Sequence, residues 1–223
     1  MNKELILNSD PKSVISETIR TLRTNLQFAS VDKELKSILI TSSMPGEGKS
    51  FIAANLAIAF AQSGKNTLLV DCDIRRGRQH AIFGYSNQKG LSNLLLEDVR
   101  EKYKEHIFRT SVENLSMMFK GITPPNPSEL LGSEKNKELI KVLSNEFDII
   151  IYDSAPINGG LTDSIIMSNL VDGVLIVTKD KTTPISVLNE TKKSLLNVNA
   201  NILGVVLNQS DKKGHRYYGY YYG

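Results

Sequence analysis

The stretch SMPGEGKS (43–50) constrains this chain more than any other, because Gly46 and Gly48 are followed at once by Lys49 and Ser50. It lies between KSILITS (36–42), an apolar run of strand length, and KSFIAANLAIAFAQSG, an apolar run of helix length stopped at Gly64. Strand, Gly-rich loop and helix in that order build a phosphate cradle. Backbone N–H groups turn inward at the glycines and at the open helix end. The pattern G-x-x-x-x-G-K-[ST] is met except at its first position, Ser43. The expected nucleotide contacts are Ser43, Pro45, Gly46, Glu47, Gly48, Lys49 and Ser50, with Phe51 beside them. Lys49 is expected to reach the outer phosphates and Ser50 to offer its hydroxyl to Mg2+.

The alternation of strand and helix continues. NTLLVDCD (66–73), LSMMFKG (115–121), FDIIIYD (147–153), DGVLIVTKD (172–180) and ILGVVLNQ (202–209) read as strands. SVISETIRTLRTNLQF (13–28), residues 134–145, DSIIMSNL and ISVLNETKKSLLNV read as helices, with Ser13 as an N-cap. The strands are continuous Ile/Leu/Val runs, which predicts burial on both faces and a mostly parallel, doubly wound sheet flanked by helices. The α/β class and the loop together predict a P-loop NTPase fold. Residues 74–114 carry a weaker signal, with a short helix in LSNLLLED, and TPPNPSELL (123–131) reads as a loop entering a helix. Two units are expected: a P-loop domain over 1–209, and a polar, Gly- and Tyr-bearing tail over 210–223 whose composition predicts mobility.

Composition narrows the function classes. A net charge of +3 is too mild to argue for nucleic acid. The single cysteine, Cys72, excludes an internal disulfide and suits a reducing compartment. No apolar run approaches the ~18 residues of a membrane span, and MNKELILNSDPK lacks a signal-peptide core, so a cytoplasmic protein is expected.

Three acidic residues stand at strand ends. Asp153 closes IIIY, where P-loop enzymes hold Mg2+, and Asp71 and Asp73 close LLV on the strand after the loop. Parallel strands deliver these ends to one sheet edge, so the carboxylates should converge on the phosphates. Three carboxylates meeting a triphosphate repel one another unless a cation intervenes, which implies magnesium. Asn208 ends the last strand and is a candidate contact for adenine, with a turn asparagine as the equal alternative.

SSMPGEGKS, LLVDCDIRR and IIIYDSAP, with ISETIRTLRTNLQF, PPNPSELL and the terminal HRYYGYYYG, resemble the bacterial tyrosine kinases (BY-kinases) of capsule and exopolysaccharide systems. The likeness runs from about residue 10 to the end. It implies a kinase using ATP and Mg2+, with Asp71 taking the tyrosine proton, Lys49 steadying the transferred phosphoryl group, and Asp73 holding the metal with Ser50 and Asp153. It implies autophosphorylation at Tyr217, Tyr218, Tyr220, Tyr221 and Tyr222. In the E-x-x-R-x-x-R motif, Glu17, Arg20 and Arg23 would join subunits into a ring, although their spacing alone reads as a solvated polar face. It further implies a transmembrane activator and anchor of the polysaccharide co-polymerase type, a cognate tyrosine phosphatase, and recruitment to the inner face of the membrane. The chain departs from the family at Gly77, where proline is common. The span from Asn208 to the tyrosines permits transfer within or between subunits at roughly 3.3–3.6 Å per extended residue.

The alternative is a ParA/MinD-like ATPase acting as a nucleotide-dependent assembly switch without tyrosine transfer. Such ATPases carry a second lysine near the loop's start, where this chain has Met44. No H-R-D, D-F-G or V-A-I-K motif of the eukaryotic kinases is present.

Overall fold

The computed structural model describes residues 4–28, 34–87, 89–158 and 162–210. Residues 211–223 of the tail, with its five tyrosines, lie outside the described residues. The strands are β1 (Ser37–Ser42), β2 (Thr67–Asp71), β3 (Phe108–Arg109), β4 (Leu115–Met118), β5 (Ile149–Asp153), β6 (Gly173–Lys179) and β7 (Ile202–Asn208). Among the described residues they form one seven-stranded sheet in the order β3-β4-β2-β5-β1-β6-β7. Every pairing is parallel except β3 with β4.

The helices are α1 (Ile6–Ser9), α2 (Val14–Phe28), α3 (Lys49–Gln62), α4 (Gln79–Phe83), α5 (Leu91–Leu94), α6 (Val99–Lys102), α7 (Pro127–Leu131), α8 (Glu134–Glu146), α9 (Asp163–Ser168) and α10 (Ile185–Leu196). Successive strand residues point to opposite faces, so each strand feeds two cores. Ile38, Ile40, Leu69 and Ile151 pack with α3 in one. Leu39, Leu68, Val70, Ile150 and Tyr152 pack with Leu143 of α8, Met167 of α9 and Leu195 of α10 in the other. β1, β2 and β5 are buried at every position, as their unbroken apolar runs require.

α3 is buried from Ile52 to Ala61 because it is sandwiched between the sheet and α2, which explains its apolar residues on all sides. α2 is amphipathic and turns Ser16, Ile19 and Leu26 inward. Its expected cap is present: Ser13 Oγ accepts a hydrogen bond from Ser16 N at 3.1 Å.

β7 differs from expectation. Its run is as apolar as the others, yet Val205 and Leu207 are half exposed, since β7 is an edge strand with one face open. Between residues 74 and 114 the chain forms α4, α5, α6, a 3-10 turn (Tyr103–His106) and β3, each of two to five residues. Elements that short complete too few turns to show a period in sequence. His80 lies in α4.

Leu56 sits fully buried in the middle of α3. Leu56→Ala should lower unfolding free energy by about 2–5 kcal/mol, read as a lower urea midpoint at unchanged slope. A cost below ~1 kcal/mol would show that the layer between α2 and the sheet is loosely packed.

Candidate active site

The phosphate loop follows β1 and opens α3. Gly46 and Gly48 have φ of +81° and +90°, a left-handed conformation that side chains disfavour. Gly48 is also crowded: a Cβ there would stand 2.1 Å from Asn208 Nδ2. That amide donates to Glu47 O at 2.9 Å, while Asn208 Oδ1 accepts from Gln209 N at 2.9 Å. Asn208, the candidate adenine contact, thus also braces the loop.

Glu47 and Ser43 turn their side chains into the protein. The buried Glu47 carboxylate accepts from Met44 N (2.6 Å), Thr178 Oγ1 (3.3 Å), Lys179 N (3.3 Å) and the Thr183 hydroxyl. Ser43 Oγ accepts from Thr191 Oγ1 of α10 at 2.9 Å. The loop is thus fastened to β6, α10 and β7, leaving Pro45 and Gly46 exposed and Met44 40% exposed. Lys49 Nζ lies 3.5 Å from Asp73 Oδ2, and Ser50 is buried in the first turn of α3.

The acidic residues converge as their strand ends predicted. Asp71 stands opposite Asp153 in the β2–β5 register, and both are fully buried. Asp73 lies two residues beyond β2, also buried, with Oδ1 accepting from Arg76 N at 2.9 Å. The N–H groups of Cys72 and Asp73 donate to Asp153 O at 2.9 and 3.0 Å, extending the pairing past the strand's end. Gly77 explains the missing proline in spatial terms: a Cβ there would stand 2.0 Å from Asp71 Oδ1. The Asp71 carboxylate occupies the room that a side chain would need.

Sequence reasoning missed Gln79. Its backbone N donates to Asp71 Oδ2 at 3.0 Å and its Nε2 to Asp153 Oδ2 at 2.9 Å. A lone glutamine in a polar stretch carries no signal of that role. Asp71 Oδ1 and Asp153 Oδ1 have no hydrogen-bond partner. Burial pushes the Asp71 carboxyl well above its ordinary range, and neighbouring Asp153 adds to the shift. Asp153 is raised by burial too, with Lys49, Ser50 and Gln79 opposing. Buried, unpartnered carboxylate oxygens of like charge suit a divalent cation. Among the described residues no three His, Cys, Asp or Glu side chains form a metal cage.

Other predicted residues lie outside this cluster. Glu17 pairs with Arg20 at 2.5 Å on the α2 surface, and Arg20 also donates to Pro11 O at 2.9 Å. Arg23 turns inward and donates to Ala59 O of α3 at 3.1 Å. Arg75 is engaged away from the loop, with Nε 2.7 Å from Asp163 Oδ2 and Nη2 3.2 Å from Ser128 Oγ. A cleft of 1040 Å³ opens from Lys49 and Ser50 between α2 and β7, and the partly buried Phe51 lines it.

The ParA family, described as NUBPL iron-transfer P-loop NTPase, matches residues 34–216. Tyrosine-protein kinase YwqD of Bacillus subtilis (strain 168) is 38% identical over 221 residues, 99% of this chain and 92% of that protein. The crystal structure of the chimerical protein CapA2B2 superposes with a TM-score of 0.88 at 40% identity, covering 93% of this chain and 90% of that one. The kinase domain of Escherichia coli tyrosine kinase ETK does so with 0.88 at 29% identity, covering 98% and 84%. The septum site-determining protein MinD of Pyrococcus horikoshii shares the fold, at TM-score 0.64 and 24% identity over 79% of this chain and 72% of that one.

An acid whose folded pKa is raised weakens the fold above that pKa and costs nothing below the ordinary one. Without divalent cation, Asp71→Asn should therefore melt higher than the wild type at pH 7. The advantage should shrink as pH falls through the raised Asp71 pKa towards the ordinary 3.8. Thermal melts across pH read this directly, and a difference independent of pH would contradict the raised carboxyl.

Proposed function

The chain belongs to the bacterial tyrosine-protein kinases built on the ParA-type P-loop NTPase fold, and from that premise we propose that it phosphorylates its own C-terminal tyrosines with Mg-ATP. The observation that carries the reading is the pairing of Asp71 with Asp153, side by side and fully buried at the mouth of a phosphate loop. A phenol of pKa ~10 is a poor nucleophile until a carboxylate orients it and takes its proton. Asp71 is that carboxylate. Its Oδ2 is held by Gln79 N, and Oδ1 is the oxygen left to accept.

In the transfer, the tyrosine O–H bond breaks and its proton passes to Asp71. The phenolic oxygen forms a bond to the γ-phosphorus as the bond to the ADP oxygen breaks. Lys49 and the loop's backbone N–H groups stabilise charge on the phosphoryl group. Ser50, Asp73 and Asp153 would hold Mg2+, which when bound neutralises phosphate charge. Burial excludes water from the carboxylates and strengthens each of these interactions.

The iron transfer in the ParA family's description finds no counterpart in the ligands here. Cys72 is the chain's only cysteine and is buried, whereas iron–sulfur ligation uses several thiolates. The assembly-switch reading loses support at Met44, which leaves no lysine on the loop's shoulder to reach across a dimer. Ring assembly through Glu17, Arg20 and Arg23 belongs to the proposal: Glu17 and Arg20 are at the surface, whereas Arg23 is partly committed to α3.

No described helix is long and apolar enough to cross a membrane. Work at the inner membrane face would use a transmembrane activator, and a phosphatase would reset the tyrosines. Capsular or exopolysaccharide synthesis and export is the process we propose this serves. Each phosphate adds about −1.5 to −2 charge to a tail that begins basic, so modification should repel the tail from the carboxylates and limit the reaction.

Intact-mass spectrometry of phosphatase-treated protein after Mg-ATP tests the proposal. We expect a ladder of phosphate increments confined to the C-terminal peptide and lost in Asp71→Asn, with or without a membrane partner's cytoplasmic segment supplied. ATP hydrolysis with no ladder under either condition would favour the assembly switch.

A further inference from the structure

We propose that Gln79 is a positioning residue that locks the proton-accepting and metal-holding carboxylates to each other and to the phosphate loop. The inference rests on the kinase reading above and concerns the same site. Gln79 is fully buried at the start of α4. Three hydrogen bonds leave it: N to Asp71 Oδ2 at 3.0 Å, Nε2 to Asp153 Oδ2 at 2.9 Å, and Nε2 to Ser50 O at 3.0 Å. One residue therefore ties the end of β2, the end of β5 and the first turn of α3.

The amide can sit only one way round. Ser50 O is a carbonyl with no proton to give, so a flipped amide would set its own oxygen against it. In the observed orientation both amide hydrogens are used, and Gln79 Oε1 is buried without a partner. The consequence for the carboxylates is directional. Gln79 holds one oxygen of each, and the other oxygen of each, Asp71 Oδ1 and Asp153 Oδ1, is the unpartnered one. A neutral bridge suits this place better than a cationic one. An arginine or lysine there would neutralise the carboxylates and compete with the divalent cation, whereas the side-chain amide aims Asp153, and the backbone N–H aims Asp71, while preserving their charge.

Lys49 and Asp73 have a separate connection, since Lys49 Nζ approaches Asp73 Oδ2 and Asp73 Oδ1 is held by Arg76 N. Removing the Gln79 amide should thus leave the phosphate loop and its lysine in place. It should remove the bridge between Asp153 Oδ2 and Ser50 O, while residue 79 keeps its backbone bond to Asp71 Oδ2. The expected defect lies in metal-dependent steps and in transfer, with nucleotide binding spared.

The test uses the full chain with Gln79→Leu and Gln79→Asn, the latter keeping the amide but one methylene short of both acceptors. Two quantities are read: the gain in melting temperature when MgCl2 is added to ADP-saturated protein, and kcat with KM for ATP in tyrosine transfer. Gln79→Leu should keep the gain from ADP alone and lose most of the Mg2+ increment. Its kcat should fall about 10–100-fold, the range for groups that orient metal ligands, with KM for ATP changed far less. Gln79→Asn should fall between Gln79→Leu and wild type, and it decides the matter if Gln79→Leu does not fold.

Wild-type kcat and Mg2+ increment in the variants would overturn the proposal. So would a loss of melting temperature alone, with kcat per folded molecule unchanged. If the wild type itself transfers no phosphate to tyrosine, the kinase reading fails on its own. The Mg2+ increment then decides the role of Gln79: loss in the variants supports it, retention overturns it.

Discussion

Two carboxylates placed side by side without solvent contact are a standing cost, and much of this structure is arranged around Asp71 and Asp153. Desolvation and mutual repulsion both oppose their ionisation. The compensation is local: Gln79 donates to both, and Lys49 and Ser50 oppose the Asp153 shift. What remains unsatisfied, one oxygen on each, is the capacity that a divalent cation and an incoming phenol would use. The pair exists because β2 and β5 align Asp71 with Asp153. A slip of one residue would turn every side chain of a strand to the opposite face. Leu69 and Ile151 face one core and Val70 and Tyr152 the other, so the packing that fixes the register also fixes the site.

The phosphate loop depends on the opposite half of the sheet. Glu47 is bonded to β6 and the turn that follows it, Ser43 to α10, and the Glu47 carbonyl to Asn208 at the end of β7. The carboxylates are governed by β2, β5 and α4, and the loop by β6, α10 and β7. Lys49 approaching Asp73, and Gln79 bonded to both Ser50 O and Asp153, join the two halves. Glu47 shows why a motif position differs from a ligand contact. Its backbone belongs to the cradle, whereas its carboxylate accepts three hydrogen bonds from β6 and the turn after it and one from Met44 N within the loop.

The central elements were legible in sequence because each is long enough to express its burial. β1, β2 and β5 are unbroken apolar runs, and α3 is apolar all round because it lies between two layers. Their ends delivered Lys49, Ser50, Asp71, Asp73 and Asp153 to one edge with no knowledge of coordinates. The region from 74 to 114 was opaque because its elements are too short for a period. Gln79 sits there, and its role arises from contacts across 29 and 74 positions of sequence that no local pattern encodes. β7 misled in the other direction, since an apolar run cannot report that its strand lies at the edge. The Gly77 departure concerns space, which sequence cannot report, because the Asp71 carboxylate fills the position of a Cβ.

The same scaffold serves ATPases that hydrolyse and kinases that transfer, so the difference rests on what reaches Asp71. The last described residues, Gln209 and Ser210, line the cleft that contains Lys49 and Ser50. The tyrosine tail therefore starts at the site it is proposed to visit. A substrate tethered by a short linker is present at an effective concentration of about millimolar, in its own site or in a neighbour's if the chains assemble. At that concentration little intrinsic affinity is needed, and no pocket must recognise one tyrosine by its flanking sequence. Several tyrosines separated by little but glycine would then be nearly equivalent acceptors, drawn to the carboxylates by Lys212, Lys213 and Arg216 until added phosphate reverses the tail's sign. Tethering and charge can supply the selectivity that a binding pocket would otherwise provide.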